Sequence, residues 1–210
     1  MAPDRTGSPS AARSAATIVS QHNPDAHVNS MAGRADTELN FDPAAMPENL
    51  PVMLDTNFYV RRLKGKLPAP IDNFVSSRRI LHSGIACAEM SIGMGILDPS
   101  HADTPQNRAV LLRALETIAD VDMVSPSAAA WAEAGMLAGI LARTQYLAKP
   151  KKTLTADQKC CQEGLRRKLI NDALIFLSAR EQNAILVSTN SKDMDLLLRF
   201  RPDAHVLLFK

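Results

Sequence analysis

The 210 residues, 46% of them hydrophobic and 4% aromatic, carry a formal net charge of +2, which suits one packed domain plus an appendage. No uninterrupted apolar run approaches the ~18 residues of a membrane span, and the amino end lacks the apolar stretch of a signal peptide, so a cytoplasmic protein without membrane contact is expected. Cys87, Cys160 and Cys161 form no paired metal spacing, leave an odd count and suit a reducing compartment.

Residues 1–50 are rich in Ala, Pro, Ser, Asn and Asp, with few large apolar residues and no sustained period. They read as a disordered or weakly ordered extension whose removal leaves stability unchanged. Their three basic and six acidic residues give a net charge of −3, so 51–210, read as the folded domain, carry +5. A mildly basic domain suits a phosphate-binding protein, and equally many proteins that touch no nucleic acid.

The run Val52-Met53-Leu54-Asp55-Thr56-Asn57 predicts a short buried strand ending on a carboxylate. An acid among apolar residues costs several kcal/mol unless it is paired, hydrogen-bonded or bound to a cation. In an open parallel sheet the carboxyl end of a strand faces the binding crevice. Asp55 is therefore either a helix cap or a ligand at a site.

A helix starts at 58–63, broken by Lys64-Gly65-Lys66-Leu67-Pro68, and a short helix follows at 71–77. A second strand at 79–82 leads to Ser83, which caps a helix to about Leu97. That helix is apolar nearly all round and is expected to be buried. Its one charge is Glu89, a second isolated acid. His82 reads as structural rather than as a general base.

Helical spacing of Ala109, Leu112, Leu115 and Ile118 predicts a helix from Thr104 to about Asp120, and a third strand follows at 122–125. Ser127 caps a helix to about Leu147, whose small residues permit close packing, with Trp131 in the core or an interface. The stretch 143–170 holds eight basic and two acidic residues. It is either a solvated face or a phosphate-contacting arm, with Lys151, Lys152, Arg166, Arg167 and Lys168 as candidate RNA contacts.

A helix is predicted over 155–182, carrying a third isolated acid, Asp172. A buried strand at 184–188, a helix capped by Ser191 and an edge strand at 205–209 complete the chain. Strands alternating with helices predict a three-layer α/β/α sandwich with a mostly parallel sheet of four to five strands. Asp55, Glu89 and Asp172 lie 34 and 83 positions apart, each alone in a buried-looking segment. Carboxylates brought together repel unless a cation joins them, and hard oxygen ligands suit Mg²⁺ or Mn²⁺.

The segments Leu54-Asp55-Thr56-Asn57, Ser83-Gly84-Ile85-Ala86-Cys87-Ala88-Glu89, Asn171-Asp172-Ala173-Leu174-Ile175 and Val187-Ser188-Thr189-Asn190 come in the order and style of a PIN domain. Over about 51–210 the chain resembles a VapC-type toxin ribonuclease. The resemblance implies a first strand near the sheet centre and a metal-dependent endoribonuclease with Asp55, Glu89 and Asp172 as catalytic metal ligands. It also implies RNA as substrate (tRNA or rRNA), an antitoxin partner and a homodimer. Many PIN domains carry a further acid where Asn190 stands here; Asp193, three residues on, is the nearest substitute, and Asn57, Thr189 and Asn190 are expected to support the ligands. Two competitors are a PIN fold kept as an RNA-binding module without catalysis and an aspartyl-nucleophile phosphatase. Asn57, two positions after Asp55, argues against the phosphatase, which would usually have an acid there.

Overall fold

The structure is a computed structural model that describes residues 15–27, 29–118, 120–146 and 165–210. Five strands alternate with helices as the apolar periodicity requires. They are β1 (Val52–Leu54), β2 (Ile80–Ser83), β3 (Met123–Val124), β4 (Ile185–Ser188) and β5 (His205–Leu208). The helices are α1 (Ala15–Val19), α2 (Thr56–Leu63), α3 (Ala69–Ser76), α4 (Gly84–Gly95), α5 (Thr104–Glu116), α6 (Ala128–Leu141), α7 (Leu165–Glu181) and α8 (Ser191–Phe200).

The sheet order is β3-β2-β1-β4-β5 and every neighbouring pair is parallel. β1 lies at the centre, with Val52, Met53 and Leu54 fully buried, as expected for a strand covered on both faces. Chain progression runs outward from β1 to β2 and β3, then returns across the sheet to β4 and β5. Right-handed crossovers then put the connections of the two halves on opposite faces. The contacts agree: α2, α4 and α5 touch one another, and α1, α6, α7 and α8 form a second connected set. The reversal falls between β1 and β4, so a crevice opens at the carboxyl ends of those two strands.

Several expectations are corrected. α4 is not buried all round: Ala86 and Met90 face the core, while Ile92 is exposed at 38% and Ile96, which follows the helix as its C-cap, at 76%. An apolar helix at the side of a sheet needs only one covered stripe, and α4 has that from β2, α5, α2 and α7. α5 ends at Glu116, with Leu112 exposed, and Trp131 is outside the core at 48% exposure. Asn190, not Ser191, caps α8, accepting a hydrogen bond from the Asp193 backbone N–H. His82, by contrast, is placed as expected of a structural histidine: it is buried and hydrogen-bonds Tyr59 at 2.7 Å, and burial pushes its pKa down. The predicted helix over 155–164 and the Cys160-Cys161 pair lie outside the described residues.

The largest difference concerns the extension. From residue 15 it runs along the domain as α1 and three short 3₁₀ turns instead of standing apart. Ile18 and Met46 are buried, and Met31, Leu39 and Phe41 pack against the core. The Asn40 carbonyl accepts the Leu208 N–H at 2.8 Å, covering part of the outer edge of β5. Arg34 pairs with buried Asp195 on α8, and His22 meets buried Glu133 on α6. Low overall hydrophobicity hid this, because a few well-spaced apolar residues and two buried partners suffice to dock a segment.

Candidate functional site

The turn from β1 into α2 places Asp55 at the crevice. Asp55 is both a helix cap and a cleft residue, so the two sequence readings are compatible. Its Oδ1 accepts the Thr56 N–H at 2.7 Å and its Oδ2 accepts the Ser188 hydroxyl at 2.7 Å. Only 4% of it is exposed. Burial raises its pKa; the hydrogen bonds from Ser188 and Thr56 oppose that rise without cancelling it, and the negative charge of Glu89 adds to it.

Ser83 ends β2 and caps α4 through the Ile85 N–H, which sets the helix direction and brings Glu89 over the crevice. Glu89 Oε2 accepts the Thr56 hydroxyl, and Oε1 accepts the Asn171 amide at 2.9 Å. The second bond ties α4 to α7 across the carboxyl end of the sheet.

On α7, Lys168 and Asp172 share one face at i,i+4 spacing. Asp172 is buried, and its pKa is pushed up to about 8, first by burial, then by the negative charges of Asp193, Asp55 and Glu89. Asp193, 1% exposed, shifts the other way: burial raises it, but hydrogen bonds from Lys168 and Asn190 outweigh that. The Asn190 amide donates to Asp172 at 3.2 Å and to Asp193 at 3.0 Å.

Asp55, Thr56, Asn57, Glu89, Lys168, Asp172, Thr189 and Asn190 line one open cleft of about 390 Å³. A larger groove of about 800 Å³, beside the ends of α2 and α5, contains a single acid, Asp103, and offers no comparable chemistry. The three isolated acids thus arrive in one cleft from three distant segments, with Asn57, Thr189 and Asn190 beside them. Asp193 lies behind Asp172, engaged by Lys168 and Asn190. Of the basic candidates, Arg167 is exposed on α7 and Lys168 is turned to the carboxylates. Lys151, Lys152 and the Arg166 side chain lie outside the described residues.

The sequence reading missed Thr56, Ser188, Asn171 and Lys168 as partners of the acids. The first three stood within or beside the short motifs, but nothing local marks a neutral side chain as the partner of an acid 33, 133 or 82 positions away.

The donor set is all oxygen and carries like-charge repulsion that Lys168 offsets only in part, which fits a hard divalent ion. Among the described residues, no three His, Cys, Asp or Glu groups stand together in a ready coordination shell. The acids are instead satisfied by protein donors. Each carboxylate has about four lone-pair sites, so a cation could share the acids while these donors stay in place.

No protein-family model matches the chain, and no curated protein matches it. Among solved structures, the chain is similar to one in VapBC2 from Rickettsia felis bound to a DNA fragment from their promoter. That match has 22% identity and a TM-score of 0.46, covering 77% of this chain and 100% of that one. It is also similar to a chain of FitAB bound to an IR36 DNA fragment, at 15% identity and a TM-score of 0.42, covering 75% of this chain and 94% of that one. No helix among the described residues is long and apolar enough to cross a membrane.

Proposed function

We propose that the chain is a PIN-type endoribonuclease that hydrolyses RNA phosphodiester bonds with Mg²⁺ or Mn²⁺. The observation that carries this reading is the meeting of Asp55, Glu89 and Asp172 in one cleft at the switch point of a parallel sheet. Asp172 is raised first by burial and then by the negative charges of Asp193, Asp55 and Glu89, and a divalent cation would offset these costs.

A bound divalent ion supplies an activated water and neutralises charge developing on the phosphate. Asp55, Glu89 and Asp172 would hold it. Ser188 and the Thr56 N–H orient Asp55, while Thr56 Oγ1 and Asn171 orient Glu89. Asn57, exposed at the cleft mouth, is placed to contact a substrate strand. Arg167 on the exposed side of α7 adds positive charge that attracts the backbone. Following the resemblance to VapC-type toxins, the proposal extends to the toxin of a type II toxin–antitoxin pair, with an antitoxin partner, a homodimeric state and tRNA or rRNA as target.

The test is cleavage of a labelled single-stranded or looped RNA by the purified chain. Cleavage is expected with Mg²⁺ or Mn²⁺, to stop on chelation, and to fall in Asp55→Asn by more than the roughly 10–100-fold that supporting residues cost. Asp55→Asn protein that cleaves at the wild-type rate would sink the reading. Asn171→Ala, which frees one Glu89 oxygen, is expected to weaken Mn²⁺ binding by about 10–100-fold in a direct titration. An unchanged affinity would remove Asn171 from the support of the site. A second reading, RNA binding without catalysis, draws on the lack of a ready three-group shell among the described residues. RNA retained on the protein but intact with either metal would decide for it.

A further inference from the structure

Two carboxylates at the back of the cleft, on Asp172 and Asp193, are already bridged by positive and polar donors. The Lys168 ammonium lies 2.5 Å from Asp193 Oδ2 and 3.9 Å from Asp172 Oδ2. The Asn190 amide donates to the same two oxygens. Asp193 is almost wholly buried, so its carboxylate meets these partners and not solvent. The Lys168 stem comes from α7, four residues before Asp172, so its reach is set by the helix that also carries the acid.

Asp55 and Glu89 differ in kind. Their oxygens are held by neutral donors, namely Ser188, Thr56 and Asn171. Asp55, Glu89 and Asp172 line the cleft and are the acids a first divalent ion would use. A second would have to enter between Asp172 and Asp193, where the ammonium and the amide already sit.

We propose that Lys168, with Asn190, fills the position a second divalent ion would need, so that the cleft takes one ion, on the side of Asp55, Glu89 and Asp172. This rests on the reading of the cleft as a divalent-ion site. It assigns Asp193 to the lysine and not to the metal. Lys168 is thereby a positioning residue that limits metal stoichiometry, and a phosphate contact through its ammonium would require breaking the Asp193 pair.

The experiment counts Mn²⁺ bound per full-length chain, from the free-Mn²⁺ resonance signal in a titration without RNA. Wild type is expected to bind one ion. Lys168→Met keeps the apolar stem, removes the charge, and is expected to bind a second, weaker ion; Lys168→Arg is expected to remain at one. Adding Asp193→Asn to Lys168→Met should return the count to one. Two ions in wild type, or one in folded Lys168→Met, overturns the proposal while leaving the nuclease reading intact. No bound Mn²⁺ in wild type overturns both. Should Lys168→Met fail to fold, Asp193→Asn alone carries the test. It is expected to keep one ion with affinity within about threefold of wild type, and a loss of tenfold or more would show that Asp193 ligates the metal.

Discussion

Replacing Asp172 with Asn is expected to abolish metal-dependent cleavage and, in the same protein, to raise the melting temperature of the metal-free form at pH 8. Asp172 is buried beside Asp193, Asp55 and Glu89, and its pKa rises to about 8 from an ordinary value of about 4. Between those values the folded chain holds a proton that the unfolded chain has released. Its contribution to stability therefore falls as pH rises from about 4 to about 8. Asp193 acts the other way, since its lowered pKa contributes stability that is lost only in acid, below the ordinary carboxylate range. The asparagine is nearly isosteric, carries no charge, and still offers a carbonyl to the Asn190 amide. The lost attraction to Lys168 at 3.9 Å is small, because that lysine is half-exposed. At this chain length each kcal/mol of charge burial and repulsion removed raises Tm by about 2–4 °C. The gain should shrink toward pH 5, where Asp172 is itself protonated. Unfolding scans with chelator at pH 5 and pH 8 check this. A Tm at pH 8 equal to or below wild type would show that the Asp172 carboxylate is not destabilised in the folded state.

Deleting residues 1–45 is expected to lower the melting temperature by more than about 10 °C. The cut removes buried Ile18 together with Met31, Leu39 and Phe41, which pack on the core. Burying such side chains stabilises by about 1.5–3 kcal/mol each when complete. It also takes Arg34 from Asp195 and His22 from Glu133, two acids 2% and 6% exposed. Asp195 keeps Arg199 at 3.3 Å and Glu133 keeps Arg201 at 2.5 Å, so neither becomes an isolated charge. The β5 edge loses its contact with the Asn40 carbonyl. A loss of several kcal/mol corresponds to roughly 10 °C or more at 2–4 °C per kcal/mol. The check is the Tm of a chain starting at Met46 against the full chain. A fall of under about 3 °C would show that the extension contributes no stability.

Much of the frame was legible without coordinates. Continuous apolar runs marked β1 and β4 as strands covered on both faces, and Ser83 and Ser127 marked the starts of α4 and α6. A lone charge in an apolar segment needs a compensating partner, and that alone singled out Asp55, Glu89 and Asp172. Tertiary structure decided who the partners are. Ser188 reaches Asp55 because β4 lies beside β1; Asn171 reaches Glu89 because α7 crosses to α4; Lys168 is turned to Asp193 because α8 starts behind α7. The docking of residues 15–50 was invisible for the same reason. Composition and periodicity report what a segment does with its near neighbours, whereas Ile18, Arg34 and Asn40 find their partners only on surfaces assembled from residues more than a hundred positions away.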